Sequence, residues 1–256
     1  MQLQGQTAIV SGGLGDIGRA IALELAARGA DVAIGDVSAS SPEPLRKRIE
    51  GLGRRFRFDR VDVSDAQAVA RWITDLETSF ALPTLIVPNA AIVDIRPLEK
   101  LDAAYWRREL SVNLDGAFHL AQFATARLIA KQRPGRVVFI GSWAGETVHV
   151  HIPTYCVAKA GIRMLARCMA AALAPAGILV NEVAPGYVDG GLATRFMEED
   201  ANAREASRRE VPVGLLIEPA EVAKQVAFLC DPGNRHMTGS TLLMDGGLSL
   251  FRPGGG

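Results

Sequence analysis

Short apolar runs rich in β-branched residues alternate along the chain with longer stretches whose apolar positions recur at helical spacing. The runs are Thr7–Val10, Val32–Ile34, Phe56–Val61, Leu85–Val87, Val137–Ile140, Ile178–Val183 and Thr241–Met244. Between them lie Ile17–Arg28, Ala66–Phe80, Ala103–Lys131, Tyr155–Ala174 and Pro219–Cys230, with Ile21, Leu25 and Ala26 typical of the helical repeat. Strands this short and this apolar belong in a parallel sheet covered on both faces. The pattern predicts an α/β fold, a Rossmann-type doubly wound parallel sheet of seven strands with helices on both faces.

No interior linker, repeat or low-complexity segment interrupts this rhythm, so residues 1–256 are expected to form one domain. One stretch departs from it. Between Gly190 and Pro219 the chain is polar and mixed in charge, with Glu198, Glu199, Asp200, Arg204, Arg208 and Arg209. A solvated surface helix has this composition, and so has a lid over a ligand. Residues 190–218 follow the sixth strand, at the carboxyl edge where such sheets bind ligands, and that position favours the lid.

Composition narrows the classes of partner. The chain is 48% hydrophobic and 22% charged, which suits a globular protein with a large core. Its 28 basic and 28 acidic residues cancel. Nucleic acid and acidic membrane surfaces are therefore not expected as partners, because both need a basic patch. Low net charge also does little to keep subunits apart. The helices expected at Ala103–Lys131 and Tyr155–Ala174 are apolar on more than one face and need covering on several sides. Three scattered cysteines, Cys156, Cys168 and Cys230, form no C-x-x-C pair and point to a reducing cytoplasm. Neither a signal peptide nor a membrane span is expected.

Two clusters carry candidate chemistry. The first is Ser11-Gly12-Gly13-Leu14-Gly15-Asp16-Ile17-Gly18, where strand one meets helix one. Gly13, Gly15 and Gly18 fit G-x-G-x-x-G, which lets backbone approach a pyrophosphate at a helix N-terminus. Asp36, at the end of strand two, can accept both adenosine ribose hydroxyls of NAD and repels the 2′-phosphate of NADP. Asp62, after strand three, is a candidate for the adenine amino group or an ordinary residue of the helix start before Ser64.

The second cluster is Tyr155-Cys156-Val157-Ala158-Lys159, which puts a phenol and an ammonium on one face of a helix. A free tyrosine is a poor base at neutral pH, and a fixed Lys⁺ favours its phenolate. Lowering its pKa by roughly three units requires about 4 kcal/mol. Ser142 follows the fifth strand, at the same edge of the sheet, and Asn113 sits among apolar neighbours in a helical segment.

Together these residues resemble the short-chain dehydrogenase/reductase family, in its short single-domain branch. The similarity runs from Gly5 to about Ser249 and includes Asn89-Ala90-Ala91, Pro185-Gly186, and Thr238-Gly239 ahead of Asp245-Gly246-Gly247. The resemblance implies an NAD-dependent oxidoreductase acting on a secondary alcohol or its ketone. Tyr155 would be the acid/base, Lys159 would bind the nicotinamide ribose and lower the Tyr155 pKa, Ser142 would bond the reacting oxygen, and Asn113 would hold a water. NAD, preferred over NADP, would contact Gly12, Leu14, Asp16, Ile17, Gly18, Asp36, Asp62, Val63, Asn89, Ala90, Tyr155, Lys159, Pro185, Gly186 and Val188. The resemblance also implies a homotetramer built on the two long helices.

Some positions depart from the family pattern. Asp16 stands where glycine is commonest, and a carboxylate beside a pyrophosphate weakens binding unless it points away. Pro88 and Ala91 replace the ends of N-N-A-G, and Gly190 replaces a Thr that often contacts the carboxamide. A β-ketoacyl reductase is the alternative within the family, and a non-catalytic NAD-binding protein the alternative outside catalysis.

Around the site, Ser142, Trp143, His149, Tyr155 and Tyr187 are candidates to contact substrate. His149 and His151 form H-x-H without an evident third ligand, so no metal is expected. Gly141-Ser142-Trp143-Ala144-Gly145 has its serine displaced from the centre of a hydrolase elbow, which argues against acyl transfer.

Overall fold

Side chains alternate faces along a strand, and the apolar runs sort accordingly into two cores. In the computed structural model, which describes residues 3–38, 40–192 and 201–250, the strands are β1 (Thr7–Ser11), β2 (Asp31–Asp36), β3 (Phe56–Arg60), β4 (Leu85–Val87), β5 (Gly135–Ile140), β6 (Ile178–Pro185) and β7 (Thr241–Met244). They form one seven-stranded sheet in the order β3-β2-β1-β4-β5-β6-β7, with all pairings parallel. Ala8 and Val10 of β1, Val32 and Ile34 of β2, and Val138 and Ile140 of β5 face one core. Ile9, Ala33, Val137 and Phe139 face the other.

Helices cover both faces. The first core is closed by α1 (Asp16–Ala27), α2 (Glu43–Gly51) and a late helix over Pro219–Cys230. The second is closed by α3 (Ala66–Ser79), α5 (Gly116–Ala130) and α6 (Pro153–Leu173). The stretch expected as one helix over 103–131 is α4 (Ala103–Leu110), a π-helical turn over Ser111–Asp115, and α5 in succession. One helix lies outside the predicted set, α2, which buries only Leu45 and Ile49, while α7 (Ala201–Glu210) falls in the polar stretch where a surface helix or a lid was expected. The late helix is therefore α8 (Pro219–Cys230).

Strand order fixes the site. From β1 the chain builds outward to β2 and β3, then crosses back to place β4 on the other side of β1. That reversal opens a crevice at the carboxyl ends of β1 and β4, the usual ligand position in such sheets. Within the expected lid, residues 193–200 lie outside the described residues, so Glu198, Glu199 and Asp200 are not placed. The described part contains α7, and Val188 forms a parallel bridge with Ile217 at its base.

Candidate active site

A cleft of about 720 Å³ opens at the crevice, and every residue expected to contact the dinucleotide lines it. The glycine turn is built tightly. Gly12 has φ +64°, and a Cβ there would stand 2.8 Å from the Ala90 Cα. A Cβ on Gly18 would meet the Gly12 carbonyl oxygen at 2.1 Å. The Asn89 amide donates to the Ser11 and Gly12 carbonyls at 2.9 and 3.1 Å. In return the Ser11 hydroxyl accepts from the Asn89 and Ala90 N–H groups at 3.0 and 3.1 Å. No side chain caps the N-terminus of α1 at Gly15. The cradle is thus narrow, backbone-lined and open at a helix start, which fits a pyrophosphate.

The acidic candidates differ in their partners. Asp36 accepts from the Leu14 N–H at 2.9 Å and the Ser38 N–H at 2.8 Å, one on each carboxylate oxygen. These bonds fix the carboxylate at the cleft wall. Each oxygen keeps a second lone pair for a ribose hydroxyl. Asp62 is exposed, and its Oδ1 accepts from the N–H and hydroxyl of Ser64 at 2.9 and 2.7 Å. It serves the local turn and also lines the cleft. Asp16 also lines the cleft, and its Oδ2 accepts from the Gly191 N–H at 2.8 Å.

At the inner end, α6 presents Tyr155 and Lys159 from one face. Lys159 is 2% exposed, donates to the Ile140 carbonyl at 2.8 Å, and holds Nζ 5.4 Å from the Tyr155 ring centroid. Burial pushes its pKa down to about 8, against the opposing charges of Glu182 and Glu109. Burial also pushes the Tyr155 phenol above its ordinary value. A Ser142 hydrogen bond opposes this, while the charge of Glu109 adds to it. In this fold alone, then, Lys159 does not bring Tyr155 into the neutral range. The expected lowering needs further positive charge at the cleft. Ser142 is buried after β5, its hydroxyl accepting from the Ala144 N–H at 3.1 Å.

Asn113 lies in the π-helical turn and is fully buried. Both ends of its side-chain amide have protein partners: Oδ1 accepts from the Ile92 N–H at 2.8 Å and Nδ2 donates to the Ile92 carbonyl at 2.7 Å. It clamps the loop after β4 against the helix.

Trp143, His149 and Tyr187 lie beside the cleft rather than in its lining. They form an edge-to-face aromatic cluster, with ring centroids 4.5 Å apart for Trp143–His149 and 5.3 Å for Trp143–Tyr187. Trp143 packs on Val211 and Leu248, and the Tyr187 hydroxyl donates to Glu210 at 3.0 Å. Burial pushes His149 down. Among the described residues no group of three or more His, Cys, Asp or Glu is placed to hold a metal, and no helix is long and apolar enough to cross a membrane. Sequence reasoning missed Arg108 and Val112, which also line the cleft. Their signal was position, on the same helical stretch as Asn113.

A family model described as enoyl-(acyl carrier protein) reductase matches residues 13–249. The chain is 35% identical over 243 residues to a cis-4-hydroxycyclohexanecarboxylate dehydrogenase of Sinomonas cyclohexanicum, covering 94% of this chain and 96% of that one. It is 33% identical over 250 residues to the 3-oxoacyl-(acyl-carrier-protein) reductase FabG of Pseudomonas aeruginosa, covering 98% and 100%. Among solved structures, a short-chain type dehydrogenase/reductase from Mycobacterium marinum superposes with a TM-score of 0.91 at 26% identity, covering 97% of both chains. A gluconate 5-dehydrogenase from Burkholderia cenocepacia, in complex with NADP and tartrate, gives 0.91 at 29% identity, covering 98% of both chains.

Proposed function

This chain belongs to the short-chain dehydrogenase/reductase family and is an NAD(P)-dependent oxidoreductase of the alcohol–ketone couple, and we propose that it works with NAD(H) in preference to NADP(H) on a secondary alcohol through Tyr155, Lys159, Ser142 and Asn113. The observation that carries this reading is Lys159, buried beside the Tyr155 ring and fixed to the Ile140 carbonyl in the lining of the cleft that also holds the glycine turn and Asp36.

Bound in the cleft, the nicotinamide supplies the site that takes up or gives a hydride. The chain's own residues do the rest. Gly12, Leu14, Ile17 and Gly18 hold the phosphates, with Asn89, Ala90, Val63, Pro185, Gly186 and Val188 completing the walls. Asp36 binds the adenosine ribose, and its charge is the basis of the NAD preference. Tyr155 exchanges the hydroxyl proton, Ser142 steadies the reacting oxygen, and Lys159 grips the nicotinamide ribose. Asn113 holds the 92 loop in place beside the reacting groups. Trp143, His149 and Tyr187 brace the substrate end, and the described residues 201–218 of the expected lid close over it.

Reduction of a β-ketoacyl substrate is the second reading, supported by the 33% identity to FabG of Pseudomonas aeruginosa. Absorbance of the reduced nicotinamide over a panel of polyols, sugar acids, cyclic alcohols and acyl ketones, with both nucleotides, separates the two. Absence of turnover on the whole panel overturns both.

We also propose a homotetramer in the cytoplasm. Phe118 and Ile129 on α5 and Val157 and Met164 on α6 are exposed apolar residues, and Cys156, Cys168 and Cys230 are free thiols. A monomer by light scattering at micromolar concentration rules the assembly out.

A further inference from the structure

Glu109, on α4 one turn before Asn113, is 1% exposed, and its Oε1 has no hydrogen-bond partner among the described residues. Two neighbouring buried oxygens are in the same state. They are the hydroxyls of Tyr105, from the preceding turn of α4, and Thr154, directly before Tyr155 on α6. Both hydroxyls, and the charge of Lys159, favour the ionised Glu109 carboxylate. Burial and the charge of Asp94 oppose it, and the carboxyl is pushed up to about 7. In turn the Glu109 charge raises Tyr155, Lys159 and the Cys156 thiol. A buried carboxylate oxygen left without a partner is costly to keep, and the Tyr155–Lys159 chemistry makes no use of Glu109.

On its outer side Glu109 neighbours the half-buried Tyr105. The Arg96 guanidinium lies 4.1 Å from the Tyr105 ring centroid and pairs with Asp94 at 3.0 Å and Asp102 at 3.2 Å, both exposed. Glu109 therefore stands between the Tyr155–Lys159 pair and a surface cluster of charges. Buried polar groups that lie close together with unfilled hydrogen-bonding capacity are the setting in which ordered water bridges.

We propose that Glu109 is a positioning residue that exchanges protons for the Tyr155–Lys159 pair through the buried Thr154 and Tyr105 hydroxyls. The inference rests on the oxidoreductase reading given above. During oxidation the substrate O–H bond breaks and its proton goes to the Tyr155 oxygen. The phenolate is restored as a proton moves past Lys159 to the Glu109 carboxylate, which becomes the neutral acid. Glu109 then releases that proton to water on the Asp94 side. One proton enters and one leaves, and the electron pair of the carbinol C–H bond goes to the nicotinamide dinucleotide. Reduction runs the same path backward.

Glu109→Gln keeps the shape and removes the exchangeable acid. Its melting temperature should equal or exceed the parent's, with NAD(H) affinity unchanged. Turnover should fall roughly tenfold, less than the ~100-fold of a direct acid–base group. The pH profile of kcat should lose its ionisation near neutrality, and the solvent deuterium effect on kcat should grow. Glu109→Asp should restore part of the pH dependence, and it carries the same test should the glutamine variant not fold. Parent-like kcat and pH profile in Glu109→Gln would overturn the proposal. A second measurement needs neither substrate nor nucleotide. In infrared difference titration of parent against variant, a protonated-carboxyl band should grow as pH falls through neutrality. A Glu109 that stays ionised down to about pH 5 rejects the proposal even if no alcohol on the panel is turned over. Conversely, a neutral titration without any turnover would leave Glu109 as assigned and defeat the oxidoreductase reading instead.

Discussion

The Asp16 carboxylate accepts a hydrogen bond from the Gly191 N–H at 2.8 Å, joining the first turn of α1 to the segment that follows β6. The position where a carboxylate threatened the pyrophosphate is thereby turned into a tie between the phosphate cradle and the base of the expected lid. Gly190, just before Gly191, has φ +147°, a backbone conformation that favours glycine.

Asp16→Ala removes that tie. The exposed bond is worth about 1 kcal/mol, so global stability should change little. Hydrogen exchange should instead speed up at 190–192 and 201–218, and the substrate KM should rise a few-fold with kcat nearly constant. Exchange in these segments identical to the parent's would show that Asp16 does not hold the lid.

Asp36→Ala tests cofactor choice. The carboxylate accepts the Leu14 and Ser38 N–H groups, so its loss loosens the turn as well as removing the repulsion of a 2′-phosphate. Kinetics with both nucleotides should show the NAD-to-NADP ratio of kcat/KM falling roughly 10- to 100-fold, in line with ~1.5–3 kcal/mol for hydrogen bonds to a charged group. An unmodified protein that favours NADP(H) would refute the assignment.

Much of this site was legible because it is local in sequence. The glycine turn, the Tyr155–Lys159 pair and Ser142 each follow a strand end, and strand ends were marked by apolar runs. What was missed lacks such marks. The helix α2 shows only Leu45 and Ile49 as apolar anchors in a charged segment. Glu109 sits in Arg107-Arg108-Glu109, which looks like a solvated helix face until α6 packs on it. The Asp16–Gly191 bond spans 175 residues and depends on the sheet having closed. Asn113 was placed correctly in a helical stretch, but its partner, the Ile92 backbone, belongs to a loop whose path no periodicity describes.

Lys159 makes stability depend on pH in a definite direction. Its folded value, about 8, lies below the ordinary 10.5. Between these values the unfolded chain binds more protons, so stability rises with pH across the window. Below about 8 the full cost of burying the cation is present. Lys159→Met removes that cost along with the bond to the Ile140 carbonyl. Thermal melts across the window should show the parent gaining stability with rising pH and the variant flat. Parallel curves would mean that Lys159 is not buried as a cation.

Tyr155→Phe removes only the hydroxyl and keeps the ring over Lys159. Folding and NAD(H) affinity should be nearly unchanged, since the glycine turn, Asp36 and Lys159 hold the nucleotide. Turnover should fall by at least about a hundredfold, as expected for lost general acid–base catalysis. Lys159→Met should behave differently, weakening NAD(H) binding and moving the pH dependence of residual oxidation upward. Burial already pushes the Tyr155 phenol up, and removing the neighbouring cation leaves the phenolate without its fixed counter-charge. A merely structural tyrosine–lysine pair gives the opposite pattern, losing stability and keeping normal activity in whatever protein survives. Steady-state rates, nucleotide titration and thermal melts of the two variants therefore decide the matter together. A Tyr155→Phe protein that folds and turns over alcohols at the parent rate would exclude Tyr155 as the proton-transfer group.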